Sequence, residues 1–149
     1  MIPIDIKKIC RGVLRALVYK AQIALRKAYL SELKLPSIAR ALELGSGTGH
    51  VTKDLLDLAG AKTAHRLETS PVMVQRAKKS FGNDTRLSFD IGDAKDTGFE
   101  DASFDLVLMH TLLCHVPGPE AVVQEAGRIL KPGGVLAICD GDYETATAQ

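Results

Sequence analysis

Glu43-Leu44-Gly45-Ser46-Gly47-Thr48-Gly49 is the stretch from which the fold of this chain is read. An apolar run at Ala39–Leu44 leads into it and a helical pattern at Gly49–Ala59 follows, so it reads as a strand-to-helix turn. Glycine at every second position lets the backbone turn tightly and come close to a ligand where a Cβ would clash. The helix that follows aims its unpaired N–H groups at the same place. Dinucleotide-binding proteins use such a turn too. Here the spacing is GxGxG, with the third glycine one residue earlier than in GxGxxG. Glu43, just ahead of the turn, would repel a pyrophosphate and would suit an ammonium group. The turn favours a ligand with an amino-acid portion.

Outward from the turn, short apolar runs alternate with helical patterns, the signature of βαβ units and a parallel sheet. Strands are expected at Ala39–Leu44, Ala64–Glu68, Leu87–Ile91, Phe104–His110 and Val135–Cys139, with helices at Gly49–Ala59, Pro71–Phe81 and Pro119–Leu130. Ser70-Pro71 is a capped helix start with proline at the first position. Lys131-Pro132-Gly133-Gly134 is expected to end a helix and turn sharply into the last strand. No internal repeat or low-complexity segment interrupts the pattern.

Ahead of Pro36 the chain is different. Residues 1–40 carry nine Lys or Arg against Asp5 and Glu32, a local balance of +7, while the remaining 109 residues balance at −6. Ile6, Ile9, Val13, Leu17, Ala21, Leu25 and Ala28 recur at steps of three and four, which predicts an amphipathic helix with these residues on its apolar face. Lys7, Lys8, Arg11, Arg15, Arg26 and Lys27 fall mostly off that stripe and read as a solvated face, docked partly on the acidic body. Without aromatics interleaved among the bases, a nucleic-acid partner is not expected. The chain is thus divided into a basic amphipathic helical segment, 1–37, and an α/β domain, 38–149. With 149 residues, 46% of them hydrophobic and 25% charged, it has the bulk of one soluble globular domain. No apolar run approaches the roughly 20 residues of a membrane span, and the amino terminus lacks the layout of a secretory signal. Cys10, Cys114 and Cys139 lie far apart and read as reduced thiols of a cytoplasmic protein. The four histidines show no metal-ligand spacing.

Five segments in order resemble the motifs of class I S-adenosylmethionine-dependent methyltransferases. These are Ala41–Gly49, Glu68-Thr69-Ser70-Pro71, Gly92-Asp93-Ala94, Ser103-Phe104-Asp105-Leu106-Val107 and Leu130-Lys131-Pro132-Gly133-Gly134. The resemblance covers about residues 38–140 and implies a Rossmann-like sheet of about five strands, in the order 3-2-1-4-5. It implies S-adenosylmethionine as co-substrate. Gly45, Gly47 and Gly49 would pass the backbone by its methionyl and ribose parts, and Glu43 would face its ammonium. Glu68 would take the ribose hydroxyls with its two acceptor oxygens. Asp93 would accept from the adenine amine, with Thr69 and Ala94 packed near the ring. The other reading of Asp93 is a loop acid capping a turn, and of Glu68 a surface acid at a helix start. Asp105 is expected to support the fold from within strand four. The chain departs from the family at Arg66, where a small residue is usual. That cation, preceded by His65, is expected to seek solvent or an acid, with Glu68 as a candidate.

Methyl transfer to a nucleophile needs a general base only when the acceptor must lose a proton. Where the family lines its acceptor pocket, after strand four, stand His110, Thr111, Cys114 and His115. His110 is the candidate base, and His115, before Val116-Pro117, is read as a structural contact. The family usually continues past strand five with a helix and an antiparallel pair of strands, whereas residues 141–149 are short and polar. The outer edge of strand five is therefore expected to be apolar and open, a site for a homo-oligomer or a partner protein. A methyltransferase of a small-molecule acceptor is the leading expectation. A catalytically inactive cofactor-binding or partner-binding remnant is the alternative, and a nicotinamide-dependent oxidoreductase is disfavoured by the glycine spacing, Glu43 and Asp93.

Overall fold

The computed structural model describes residues 13–33, 35 and 39–140. In chain order it contains α1 (Val13–Glu32), β1 (Arg40–Leu44), α2 (His50–Asp57), β2 (Thr63–Glu68), α3 (Pro71–Phe81), β3 (Leu87–Ile91), β4 (Phe104–His110), a single 3-10 turn (Leu113–His115), α4 (Pro119–Ile129) and β5 (Leu130–Cys139). The five strands form one sheet in the order β3-β2-β1-β4-β5, every pair parallel. The parallel sheet follows from the alternation of runs, and its Rossmann-like strand order is the one the family resemblance implies. The order reverses between β1 and β4, and the crevice beyond the carboxyl ends of strands at such a switch point is where open α/β sheets bind ligands.

The sheet is apolar on both faces. Ala41, Leu106 and Leu108 pack with Leu55, Leu56 and Leu30 beneath α1 and α2. Their strand neighbours Leu42, Leu44, Val107 and Met109 pack with Val122, Ala126 and Ile129 of α4. The period of two along each strand sends successive residues to opposite cores. Asp105 does support the fold, accepting from Arg40 N at 2.8 Å and from Lys131 Nζ at 2.9 Å. Burial works against its charge, but these donors hold the carboxyl below its ordinary value. Ser70 caps α3 by accepting from Met73 N at 3.4 Å, with Pro71 at the first position.

Two expectations are corrected. Of the apolar stripe on α1, Ile6 and Ile9 lie outside the described residues, and for Val13, Leu17 and Ala21 only the backbone is described. Leu25 is 64% exposed and Ala28 is exposed, so the stripe does not face the core there. Arg26, Tyr29 and Leu30 turn inward instead, one residue or roughly 100° further round the helix. Apolar spacing alone misses why. Arg26 finds Asp54 of α2 at 2.7 Å, and Tyr29 and Leu30 together cover more core than Leu25 and Ala28 could. The second correction concerns Lys131–Gly134, which is not a turn ahead of the strand. Leu130 already pairs with Phe104, and the four residues bulge out before Leu106 pairs with Val135. Gly133, at φ +79°, absorbs the bend.

Along its outer edge β5 has no strand partner among the described residues, and it exposes Val135 (39%) and Ile138 (47%). No helix among the described residues is long and apolar enough to cross a membrane.

Candidate functional site

A cleft of about 280 Å³ opens at the switch point, lined by Gly45, Leu67, Glu68, Thr69, Gly92, Asp93, Ala94, Thr111, Leu112, His115 and Val116. Five of the eight residues named for the co-substrate thus meet in one place: Gly45, Glu68, Thr69, Asp93 and Ala94. The volume lies just below the ~300–1,000 Å³ usual for small-molecule sites.

Glu68 ends β2 with both oxygens engaged. Oε2 accepts from Gly47 N at 2.8 Å and Oε1 from Ser70 N at 3.0 Å. It thereby ties the glycine turn to the second strand. Oε1 also accepts from the Thr69 hydroxyl at 3.3 Å, so of the about four acceptor sites of a carboxylate one remains for a hydroxyl donor at the cleft. Asp93 Oδ1 accepts from Lys95 N at 2.9 Å, so it does cap its turn, and it lines the cleft as well. The apolar walls, Leu67, Leu112 and Val116, are suited to the faces of a heteroaromatic ring.

Within the turn the glycines differ in what they make room for. A Cβ on Gly47, at φ +51°, would meet nothing within 4 Å, so its backbone is open to a ligand. Gly49, at φ +89°, caps α2, and a Cβ there would overlap the guanidinium of Arg66. That guanidinium does not go to Glu68. Its Nη2 donates to Ser46 Oγ and to Gly47 O, each at 2.7 Å, and Nε donates to Ser46 Oγ at 3.0 Å. Arg66 is 1% exposed and Nη1 has no hydrogen-bond partner. Burial lowers its pKa, while Glu43 and Glu68 favour the charge. The awkward cation of strand two is accommodated by becoming part of the turn.

Glu43 lies on the other face of the sheet and does not line the cleft. It is 1% exposed and accepts from the Thr52 hydroxyl. Burial pushes its carboxyl up to about 7, against the pull of Thr52, Arg66 and Arg26. His110, at the end of β4, shares this face beneath α1. Its Nδ1 is 2.8 Å from the Tyr29 hydroxyl, and the two rings stack with centroids 6.1 Å apart. Burial and the nearby Arg26 lower its pKa, with Asp140 opposing. Thr111 follows at φ +54°, a left-handed conformation that is costly for a β-branched residue. It is held there as its N–H donates to Cys139 O at 2.7 Å.

The structure therefore brings together two groups on opposite sides of the turn. The cleft holds the adenosine candidates, and the α1-covered face holds Glu43 and His110, with Gly47 and Gly49 between. His115, read as a loop contact, also lines the cleft. Sequence reasoning missed Leu67, Leu112 and Val116, which as apolar residues look like core, and missed Tyr29, which nothing in the helical pattern set apart. No cluster of three or more metal-ligating side chains occurs among the described residues.

Comparison with known proteins places the chain. Residues 42–138 match a family described as "Methyltransferase domain". Methyltransferase GfsG of Streptomyces halstedii is 33% identical over 103 residues, covering 68% of this chain and 37% of the relative. Ubiquinone biosynthesis O-methyltransferase of Xanthomonas axonopodis pv. citri is 32% identical over 113 residues, covering 74% of this chain and 46% of the relative. Among solved structures, a chain assigned as a methyltransferase, in complex with the Haloferax volcanii Trm112 methyltransferase activator, superposes with a TM-score of 0.69 at 31% identity. The match covers 76% of this chain and 50% of that one. The chain thus spans half or less of the length of these relatives.

Proposed function

The chain belongs to the class I S-adenosylmethionine-dependent methyltransferase family, and from that premise we propose that it binds S-adenosylmethionine and methylates a small-molecule acceptor. The observation that carries this reading is the cleft at the switch point, which Glu68 and Asp93 line together with apolar walls beside the glycine turn. The residues present fit the ligand. Glu68 keeps an acceptor site for a ribose hydroxyl, Asp93 on the same cleft is the acceptor for an exocyclic amine, and the open backbone at Gly47 leaves room for the chain linking ribose to amino acid. Glu43 and His110 serve the amino-acid and acceptor ends. The bound sulfonium supplies an activated methyl group and a neutral thioether as leaving group, so the protein contributes mainly orientation and exclusion of water. His110, neutral because its pKa is lowered, is the group to take a proton from the acceptor.

Calorimetric titration with S-adenosylhomocysteine tests the reading, beside Glu68→Ala and Asp93→Ala. Binding that each substitution weakens about tenfold or more, the loss of one charge-assisted hydrogen bond, is expected. A folded chain that binds nothing would overturn it.

A second reading is favoured by the exposed apolar edge of β5. In it the chain is a cofactor-binding or partner-binding protein without turnover, completed at that edge by a second copy or by another protein. The relative in complex with the Trm112 activator lends the partner form a precedent. Homocysteine-ligand binding without methyl transfer, together with dimers in sedimentation, would favour it.

A further inference from the structure

We propose that Tyr29 is a positioning residue for His110: its phenol oxygen accepts the Nδ1–H of the imidazole and so leaves the lone pair on Nε2. The acceptor this arrangement serves is a nucleophile that carries a proton, a hydroxyl or an amine. This assignment rests on the methyltransferase reading and on His110 as its base, and adds the group that makes His110 one.

The geometry is fixed from three elements. Tyr29 comes from α1, which Arg26 pins to Asp54 of α2 at 2.7 Å, three residues before it. The hydroxyl meets His110 Nδ1 of β4 at 2.8 Å, and the near-parallel rings, 25° apart, resist rotation about either side chain. Cys139 of β5 is near enough to act on the hydroxyl electrostatically and, with burial, to keep its proton in place. A phenol has one proton and two lone pairs. A base at His110 needs its lone pair on Nε2, so the hydrogen on Nδ1 points to the phenol oxygen, which accepts it at 2.8 Å. The opposite polarity would place the hydrogen on Nε2 and leave the ring no lone pair for an acceptor. The charged and titratable groups around the pair are Arg26 on α1, Glu43 on β1, and Cys139 and Asp140 at the end of β5. Arg26 and burial disfavour the imidazolium, Asp140 favours it, and the ring is neutral at rest. Burial meanwhile keeps the phenol protonated.

In the step itself the acceptor X–H gives its proton to Nε2 as the X–C bond forms. The S–C bond breaks with its electron pair remaining on sulfur, and the imidazolium then returns its proton to water. Tyr29 neither gains nor loses a proton overall; it selects the tautomer and steadies the charged ring.

Long-range proton–nitrogen NMR of the ¹⁵N-labelled chain reads this without turnover, with His110→Gln to assign the signal. At neutral pH, with and without S-adenosylhomocysteine, wild type is expected to show a pyrrole-like Nδ1 and a pyridine-like Nε2. Tyr29→Phe, which keeps the ring packing, is expected to move the hydrogen to Nε2. A pyrrole-like Nε2 in wild type overturns the assignment, and so does a tautomer unchanged in Tyr29→Phe. Should the variant fail to fold, the wild-type spectrum decides alone. Failure to bind S-adenosylhomocysteine with the expected tautomer in place would sink the methyltransferase reading and leave the dyad standing.

Discussion

Replacing Glu43 by glutamine should make the protein more stable at neutral pH, and the gain should vanish in mild acid. The Glu43 carboxyl, 1% exposed, is raised by burial from an ordinary 4.5 to about 7. For an acid with a raised folded-state pKa, folding is unpenalised below the unfolded value, where both states are protonated. The cost grows as pH rises from about 4.5 and is complete above about 7. A shift of that size, at about 1.4 kcal/mol per unit, corresponds to roughly 3 kcal/mol. Glutamine keeps the shape and can still accept from Thr52, so it removes the penalty without opening a cavity. Urea unfolding followed by far-ultraviolet circular dichroism, which suits a chain without tryptophan, would measure both proteins at pH 4.5, 6 and 8. The quantity to read is the difference between them, because other carboxylates titrate equally in each. That difference should be near zero at pH 4.5 and about 3 kcal/mol in favour of Glu43→Gln at pH 8, a midpoint shift of about 1 M or more. A difference independent of pH would refute the reasoning. It would mean that Arg66 and Arg26 already keep Glu43 ionised throughout.

Three further outcomes follow from other contacts. If Glu43 faces the ammonium of the bound ligand, that charge lowers its pKa, so binding S-adenosylhomocysteine near pH 7 should release protons. Calorimetry in two buffers of different ionisation enthalpy reads the number, and none should be released by Glu43→Gln. Gly49→Ala should cost more than the ~1 kcal/mol of a left-handed alanine, because its methyl meets Arg66. Combining it with Arg66→Ala should recover part of the loss, a coupling of about 0.5–3 kcal/mol in a double-mutant cycle, and strict additivity would exclude the clash. Glu125 of α4 accepts from Thr97 N at 2.9 Å and pairs with Arg128 at 2.7 Å. Glu125→Ala should therefore destabilise by about 1–3 kcal/mol at pH 7 and speed amide exchange at Thr97 and Phe99 ahead of the rest.

The central strands were legible because a parallel sheet covered on both faces is written in mostly apolar runs, and the edge strand Leu87–Ile91 because its apolar residues alternate with Ser88 and Asp90; it and Phe104–His110 coincide with expectation end to end. The turn and the acids at 68 and 93 were legible because few residue types can do what those positions do. What stayed hidden depends on partners distant in sequence. The inward face of α1 is chosen by Asp54 and His110, which a helical period cannot register. The early pairing of Leu130 is chosen by Phe104. The destination of Arg66 was hidden too: an acid two residues along the strand looked like its partner, yet consecutive odd or even positions do not bring a long side chain to one another when a carbonyl-rich loop is nearer.

The Gly49–Arg66 contact separates a motif from its usual cause. At Gly47 glycine leaves space open to something that arrives from outside; at position 49, as at Gly45 against Leu112, it leaves space for a side chain of the same chain. Selection on the third glycine would then persist as long as arginine stayed at 66, even in a descendant that had ceased to bind any ligand. Shrinking residue 66 would remove the clash but leave the left-handed backbone at 49, which itself favours glycine. In lineages of this protein an intact third glycine would therefore record the demands of the fold itself, and the state of the open backbone at Gly47 would be the better witness to whether the site is still in use.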